Sequence, residues 1–275
     1  MLRISELYIY PIKSMAGIKV DQALITDRGF EYDRRWMLID AYNRFISQRE
    51  VAMLALLNVS ISTSFLMVEH SLNHTLINIP LIPVKQQFIA VTIWDDTCIA
   101  QLVSDEADNW FTNILGINCR LVYMPDNTKR FTDPRYTNKD SITSFSDAYP
   151  FLIIGQSSLN DLNKRLSNAV PMNRFRPNIV FTGGEPYQED IMNSITINNV
   201  NFNGVKLCAR CNIIAINQSD ASSSKEPAKT LASYRTKNNK IYFGQNLIHT
   251  GTGNIAVGDE LLVSTVHNED RFIIA

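Results

Sequence analysis

Apolar and polar residues alternate in short runs along the first hundred residues of the chain. β-Branched and aromatic residues fill these runs, and polar or glycine-containing turns separate them. The runs are ELYIYPI, IKVDQALIT, RRWMLID, LLNVSIS, TLINIPLI and QFIAVTIW. Because side chains alternate between the two faces of a strand, the pattern predicts an N-terminal region made mostly of β-strands.

The spacing of apolar residues becomes helical after Ser104. Two acidic residues follow this N-cap candidate, and apolar side chains then recur on one helical face until Gly116. A further strand is predicted at CRLVYM. The segment from Pro125 to Ser141 is polar, contains prolines and charges, and has no apolar period. We interpret this segment as a long loop at a domain junction.

The second half of the chain again predicts strands with few helices. A strand at YPFLII precedes a helix capped by Ser157, and Pro227 suits the first turn of a shorter helix. Further strands are predicted at NIVFTG, ITINNV, VKLCA, NIIAIN, IYFGQNLIH and DELLVS. The predicted fold is mainly β with a few helices (α+β), and the many turns favour barrels over a doubly wound sheet. We expect an N-terminal β-barrel domain at 1–124, a junction at 125–141 and a second β-barrel domain at 142–275.

The composition is that of an ordinary globular protein and excludes several functional classes. The chain has 275 residues, of which 45% are apolar and 19% charged, which is long enough for one large core or two smaller ones. Its 26 Lys and Arg balance 27 Asp and Glu, so no bulk charge draws it to nucleic acid or to an anionic membrane. No apolar run approaches the roughly 18 residues of a membrane span, and the start lacks the pattern of a signal peptide. We therefore expect a cytoplasmic protein.

The cysteines are too few for a disulfide scaffold, but two of them form a CxxC pair in VKLCARCNIIAIN. Arg210 directly precedes Cys211, and a neighbouring cation favours the thiolate that binds a soft metal. A zinc half-site, a dithiol redox pair and two buried structural cysteines are the alternatives to a single metal ligand. Spacing alone does not choose among them.

Two of these alternatives lack support elsewhere in the sequence. A zinc site needs further ligands, yet Cys98 and Cys119 are solitary and none of the four histidines pairs near the motif. A thioredoxin-type pair should begin a helix, whereas NIIAIN after Cys211 is predicted as another strand.

Basic and polar motifs stand at the ends of several predicted strands. Arg174 and Arg176 in NRFRPNIVF are suited to bind phosphate or a planar ring, although a solvated surface pair explains them equally well. Lys13 and Ser14 in YPIKSMAG offer an ammonium, a hydroxyl and backbone N–H groups to an anion. Each motif is weak when it is considered singly.

Two more motifs have the same placement. Arg34 leads into the strand at YDRRWMLID, and Asp147 and Tyr149 precede the strand at FSDAYPFLI. An ordinary salt bridge at a sheet edge would explain either motif. Because strand ends meet at one rim of a barrel, however, loops from all these motifs are able to converge there.

In chain order, the segments YPIKS, DRRW, SDAYPFLI, LNDLNKRL, NRFRPNIVFTGG, EDIM, KLCARCNI and KEPAKTLASYR resemble the MOSC family. The resemblance is to the branch with an N-terminal β-barrel domain, which includes the mitochondrial amidoxime reducing component and its bacterial relatives. It extends from about Leu2 to about Val263. Ala148 and Tyr149 follow the aspartate of SDAYPFLI. The mitochondrial members have small hydroxyl residues there, so we expect the surface that faces the substrate to differ.

This resemblance implies a molybdenum cofactor, with the metal bound by one molybdopterin dithiolene, by oxo-type ligands and by a single cysteine. The cysteine that matches the family's RC-aliphatic motif is Cys211, whereas Cys208 falls on a position that is not a metal ligand. Asp147 falls on the loop near the metal. The residues expected to hold or surround the pterin and its phosphate are Lys13, Ser14, Arg34, Tyr149, Arg174, Arg176, Asn178 and Arg210.

The function that this resemblance implies is reduction of N-hydroxylated compounds such as hydroxylaminopurines, amidoximes or hydroxylamines. Asp147 is a candidate to relay a proton to the departing oxygen. No cysteine spacing for a two-iron cluster follows Cys211, so we expect electrons from a separate flavin or iron–sulfur protein. One alternative is a sulfur carrier or cofactor-handling protein with a persulfide on Cys211, although 275 residues leave no room for the pyridoxal-phosphate domain of such enzymes. The other alternative is a metal-free binding protein.

Overall fold

The computed structural model describes residues 1–137 and 140–268. In these ranges the chain forms many strands, three α-helices and four short 3-10 helices. The strands of the first 124 residues are β1 (Leu2–Ile9), β2 (Ile18–Val20), β3 (Gln22–Thr26), β4 (Gly29–Phe30), β5 (Trp36–Ile39), β6 (Leu57–Ile61), β7 (Phe65–His70), β8 (Leu76–Pro80), β9 (Phe88–Ile93), β10 (Asp96–Leu102) and β11 (Arg120–Tyr123).

Later strands are β12 (Arg130–Phe131), β13 (Ile142–Thr143), β14 (Phe151–Gly155), β15 (Ile179–Thr182), β16 (Met192–Ile197), β17 (Val200–Ala209), β18 (Thr236–Lys237), β19 (Lys240–Thr250), β20 (Gly253–Ala256) and β21 (Glu260–Val266). The α-helices are α1 (Asp105–Leu115), α2 (Gln156–Arg165) and α3 (Ala228–Ala232). The 3-10 helices span Ala52–Leu56, Met172–Arg174, Gln188–Ile191 and Asn212–Ala215. The prediction of a mainly β fold with few helices is therefore confirmed.

Seven strands close into a barrel in the order β14, β15, β1, β21, β16, β17 and β19, after which β19 pairs with β14 again. The β14–β15 pair is parallel, with Ile153 opposite Ile179, and the other neighbours are antiparallel. Alternate residues of these strands point inward, and Phe151, Phe181 and Phe202 are fully buried in the centre. The barrel thus has a packed interior, and a ligand must bind at its rim.

The first 124 residues also build two smaller sheets, in the orders β5–β11–β10–β9 and β6–β7–β8. The helix α1 covers an apolar core around Trp36 and Phe111. The first strand, β1, lies in the barrel beside β15 and β21, so the barrel takes strands from both sides of the predicted junction. The division at 1–124, 125–141 and 142–275 stays a prediction, and residues 138, 139 and 269–275 of these ranges lie outside the described residues.

The two longer helices show one confirmed boundary signal and one wrong one. The Ser104 hydroxyl accepts a hydrogen bond from the Ala107 N–H at 3.1 Å, and Gly116 ends α1 in the left-handed region at φ 66°. Ser157 is not the cap of α2, which begins one residue earlier at Gln156. Its hydroxyl instead donates to the Gly184 carbonyl at 2.5 Å. The helix therefore starts directly where β14 leaves the barrel.

The segment predicted as a junction is tied closely to the rest of the molecule. The buried Arg28 guanidinium donates to the carbonyl oxygens of Pro125, Asp126 and Thr128 at 3.4, 2.6 and 3.1 Å. Arg35 adds hydrogen bonds to the Met124 carbonyl and to the Asp126 carboxylate. Across the ranges that the structure describes, no helix is long and apolar enough to cross a membrane.

Candidate active site

A cleft at the rim of the barrel gathers nine of the ten predicted site residues. The nine are Lys13, Ser14, Arg34, Asp147, Tyr149, Arg176, Asn178, Arg210 and Cys211. The cleft has about 720 Å³ of empty space, a volume that includes open solvent at its mouth. Its lining comes from loops that follow β1 and β17 or precede β5, β14 and β15. Strand ends that are far apart in the sequence therefore meet here.

The backbone of this cleft is unusual at three lining residues. Ser14, Arg34 and Arg176 have φ values of 68°, 50° and 55°. This left-handed region costs a residue with a side chain roughly 1–2 kcal/mol, and such residues cluster at ligand-binding sites. Here the conformation turns their side chains or backbone amides toward one space.

Arg34 is bound firmly by its own neighbours. Its Nη1 donates to the Asp33 carboxylate at 2.6 Å and to Asn178 Oδ1 at 3.0 Å. Asp33 is 2% exposed and also accepts from the Tyr10 N–H at 2.8 Å. Asn178 in turn donates to the Tyr8 carbonyl at 3.2 Å. These contacts join the loop before β5 to the loop before β15 and fix the floor of the cleft.

Lys13 and Asp147 form an ion pair across the two halves of the chain. The buried Lys13 ammonium donates to Asp147 Oδ1 at 2.6 Å and to the Phe145 carbonyl at 2.8 Å. Burial lowers the pKa of Lys13 to about 8, although Asp147 opposes the shift. The Asp147 carboxylate loses part of its hydration in the cleft, although its side chain is 67% exposed, and this loss would raise its pKa. Lys13 and the Trp94 indole nevertheless hold the pKa of Asp147 well below its usual range, so the carboxylate is ionised near neutral pH. The proton-relay role of Asp147 stays a prediction.

Arg176 differs from both of these cations because no carboxylate of the described residues lies within salt-bridge distance of it, although Asp147 and Asp33 act on it at longer range. The side chain is buried, and its guanidinium lies 4.3 Å from the centre of the Tyr10 ring, which Arg34 also approaches at 4.2 Å. In the described ranges its guanidinium makes no hydrogen bond or ion pair with a protein acceptor. Burial lowers the pKa of Arg176 to about 10. A buried positive charge that lines a cleft without a counter-ion is suited to an anionic ligand.

Cys211 is exposed and lies where the chain leaves β17. The following residues form the 3-10 helix Asn212–Ala215, so the prediction of a strand at NIIAIN is wrong. The apolar side chain of Ile214 is buried in a core of the second half, and this packing overrides the β propensity of the segment. A four-residue 3-10 turn lacks the longer α-helix of a thioredoxin-type pair, so the argument against that chemistry still holds.

The two cysteines of the CxxC pair have different surroundings. Cys208 packs against the apolar core beneath the cleft, and burial raises the pKa of its thiol despite the nearby Arg210. Arg210 Nη1 donates to Cys208 Sγ at 3.0 Å, and Nη2 donates to the Phe175 carbonyl at 2.7 Å. The Arg210 guanidinium is thus hydrogen-bonded to Cys208, although Arg210 is adjacent to Cys211 in the sequence. Both cysteines line the cleft, but Cys211 is exposed whereas Cys208 is partly buried.

Arg174 is the predicted residue that the structure does not bring to the cleft lining. Its Nη1 donates to the Ile214 carbonyl at 3.4 Å, behind the turn that follows Cys211. Its position supports the turn rather than a bound pterin. Tyr149 does line the cleft, but its hydroxyl is buried and has no hydrogen-bond partner in the described residues.

Comparison with known proteins identifies the family of this chain. The profile of the MOSC domain matches residues 140–262, and the profile of the MOSC N-terminal beta barrel domain matches residues 1–118. The mitochondrial amidoxime-reducing component 1 of Mus musculus is 30% identical over 274 residues, which cover 93% of this chain and 80% of that protein. The chain belongs to the MOSC family. The Homo sapiens protein of the same name is also 30% identical, with 93% of this chain and 81% of that protein covered.

A second kind of MOSC relative is longer. The molybdenum cofactor sulfurase of Oryza sativa subsp. japonica is 29% identical over 263 residues, which cover 88% of this chain and 32% of that enzyme. The chain thus spans about a third of the length of this relative. In the described residues, this MOSC protein has no group of three or more His, Cys, Asp or Glu side chains that would hold a metal ion by themselves.

Sequence reasoning missed three residues that contact the lining of the cleft. The Trp94 indole donates to Asp147 Oδ1 at 3.3 Å from the tip of the β9–β10 hairpin. The buried Gln48 amide donates to the Ser14 carbonyl at 2.7 Å. Arg130 lies in the predicted junction and contacts the loop that carries Asp147. An exposed tryptophan beside the turn residues Asp95 and Asp96 was a usable signal, whereas nothing local marked the other two.

Proposed function

We propose that this MOSC protein is a molybdenum-dependent reductase of N-hydroxylated small molecules and receives electrons from a separate flavin or iron–sulfur protein. Amidoxime-reducing relatives that match over most of the chain support the reaction class. The observation that carries the proposal is a single cleft lined by the exposed Cys211 thiol and by the unpaired, buried Arg176 guanidinium. A thiolate for a soft metal and a cation for its anionic organic part are both needed to hold such a cofactor.

The residues present fit a pterin cofactor with a phosphate group. Arg176 supplies a charge without a salt-bridge partner among the described residues, and Ser14, whose backbone is left-handed, lines the same cleft. Cys211 would bind the metal, because its thiol is free and exposed, while Cys208 is bonded to Arg210. When bound, the molybdenum cofactor supplies a metal that accepts an oxygen atom and exchanges two electrons.

Reduction of an N–O bond also consumes two protons, and the cleft contains one group suited to deliver a proton near neutral pH. The Lys13 ammonium is buried in the lining, and its pKa of about 8 makes it a far better acid than an ordinary lysine. Asp147, which accepts a hydrogen bond from Lys13, stabilises the ammonium and orients it. Hydroxylaminopurines, amidoximes and hydroxylamines are the substrates that we propose to test.

The central experiment measures bound molybdenum and pterin in protein expressed with a working cofactor pathway. Wild type is expected to contain both, and Cys211→Ser is expected to lose most of the molybdenum. Cys208→Ser, which alters the neighbouring thiol, is the matched control and should keep it. A wild-type protein without molybdenum, or a Cys211→Ser variant that retains all of it, contradicts the proposal.

The electron donor is tested separately with wild-type protein that contains molybdenum. A reduced flavoprotein or a small iron–sulfur protein is expected to support reduction of benzamidoxime or 6-hydroxylaminopurine. If a chemical reductant supports turnover while no such protein does, the donor class is wrong and the reductase assignment stands.

The exposure of Cys211 also favours a second candidate, a carrier that holds sulfur as a persulfide on this thiol. The match to molybdenum cofactor sulfurases is in keeping with this chemistry. Incubation with a cysteine desulfurase and cysteine, followed by intact mass spectrometry, tests it. A mass increase of one sulfur atom in wild type but not in Cys211→Ser, together with no reductase activity, would favour the carrier.

A further inference from the structure

Arg130 is a buried arginine whose donors are directed at one loop of the cleft. Its Nη1 donates to the carbonyls of Ser144 and Ser146 at 3.0 and 2.6 Å, and its Nη2 donates to the carbonyl of Asp147 at 3.0 Å. Its Nε donates to the Asp96 carboxylate at 2.9 Å. The side chain is 4% exposed. One guanidinium therefore holds three carbonyls of a single short backbone segment, and the Asp96 carboxylate compensates its charge from the other side.

The loop that Arg130 holds, residues 144–149, leads into β14 and carries part of the cleft lining. Ser146, Asp147 and Tyr149 of this loop line the cleft. The short β12–β13 pair, in which Arg130 is opposite Thr143, ends directly before the loop. Hydrogen bonds to buried carbonyls fix the backbone, since each carbonyl left without its donor would pay a desolvation penalty.

The fixed backbone of this loop determines the position of the Asp147 side chain. Its carboxylate accepts from Lys13 at 2.6 Å and from the Trp94 indole at 3.3 Å, and both partners come from the first 124 residues. Asp147 itself is 67% exposed, so little packing holds it in place. The backbone on either side must determine where its carboxylate lies.

We propose that Arg130 is a positioning residue of the active site, which fixes loop 144–149 so that Asp147 meets Lys13 and Trp94. The predicted junction is thus a structural part of the cleft. A planar fork with five N–H donors reaches three carbonyls and a carboxylate at once, and a lysine ammonium does not. The proposal rests on the proposed function only in taking this cleft as the active site.

Arg28 provides a matched control. Like Arg130, it is buried, pairs with one aspartate and donates to three backbone carbonyls, but these belong to residues 125–128 and not to the cleft. Arg28→Lys and Arg130→Lys therefore remove the same kind of fork. Only the second variant is expected to change the active site.

The experiment compares hydrogen exchange and steady-state kinetics of the full chain with its cofactor. In Arg130→Lys, amides of the 143–151 segment should exchange at least about tenfold faster than in wild type. Arg28→Lys should leave exchange in this segment unchanged. Because Asp147 orients the proposed proton donor Lys13, kcat for an N-hydroxylated substrate should fall in Arg130→Lys more than KM rises, with molybdenum content unchanged. Unchanged exchange in 143–151, or the same increase in both variants, overturns the proposal.

Asp96→Asn is a milder variant that serves if Arg130→Lys fails to fold. This variant keeps the Arg130 guanidinium but removes the charge of its carboxylate partner. Asp96 is half-exposed, so the effect should be smaller than that of changing Arg130 itself. A smaller increase in exchange, again confined to 143–151, is expected, and no increase there counts against the proposal. The two proposals fail separately. If Arg130→Lys shows faster exchange but the wild-type protein reduces no N-hydroxylated substrate, Arg130 still positions the loop and the proposed function is refuted.

Discussion

The cations of the cleft fall into two groups according to the half of the chain that provides them. Lys13 and Arg34, from the first half, each have a carboxylate partner at 2.6 Å. Arg176 and Arg210, from the second half, have no carboxylate within salt-bridge distance in the described ranges. Arg210 is bonded to a thiol and a carbonyl, and Arg176 only stacks on Tyr10.

This difference indicates where a ligand's negative charge is needed. A buried ion pair is compensated inside the protein, whereas a buried charge without a partner costs stability unless a ligand supplies the counter-charge. The first half therefore provides cations that fix the shape of the cleft. The second half provides the charge that a bound anion would neutralise.

The largest expected effect is a loss of stability on removing Asp33, the carboxylate that pairs with Arg34. Asp33→Ala should lower the free energy of unfolding by about 3–5 kcal/mol, because it leaves the Arg34 charge unpaired. Urea unfolding of the purified protein measures the change. Asp27→Ala removes the carboxylate of another Asp-Arg neighbour pair, but Asp27 is 61% exposed, so its loss should cost no more than about 1 kcal/mol. Equal losses in the two variants would show that Asp33 does not act through charge compensation.

The second largest expected effect is a gain in stability on removing Arg176, the cation without a carboxylate partner in the described ranges. Arg176→Met should raise the stability of protein made without the cofactor by about 1 kcal/mol or more, since it removes a buried charge that has no partner. The same variant should retain pterin about 10–100-fold more weakly, as expected for a lost charge-assisted hydrogen bond. Calorimetry and pterin analysis measure the two changes.

Arg34→Met is the comparison for this variant. It leaves the Asp33 carboxylate buried without its partner and should lower stability in the cofactor-free protein. If Arg176→Met and Arg34→Met change stability in the same direction, the contrast between the two halves fails.

The smallest effect concerns the pH dependence of turnover. Lys13 should act as a proton donor below its pKa of about 8, so activity should fall as the pH rises through this value. Asp147→Asn removes the carboxylate that favours the ammonium, so the pKa of Lys13 should fall and the alkaline limb should move to lower pH. Solvent screens the exposed carboxylate, so the move should be less than about one pH unit. An alkaline limb that stays in place, measured in a pH–rate profile, would remove Lys13 from this role.

Much of the site was predictable because its residues stand at strand ends. Lys13, Arg176 and Cys211 each lie close to a predicted strand, and strand ends meet at a barrel rim. The prediction for Asp147 gave its place in the cleft, whereas its ion pair with Lys13 was not predictable, because the sequence does not show that Lys13 lies against it. The strand at NIIAIN was wrong for a similar reason, since burial of Ile214 outweighs local β propensity.

By itself, the sequence determined the mainly β fold, the family and the set of residues in the cleft, because hydrophobic period and motif order are local properties of the chain. Tertiary structure decided which charges are paired, which thiol is exposed, that Arg130 contacts the loop carrying Asp147, and that Arg174 lies outside the cleft lining. Those properties depend on contacts between residues far apart in the chain, such as Arg34 with Asn178 or Lys13 with Asp147. Burial and pairing set the energy of a charge, and neither is visible until the strands have closed into the barrel.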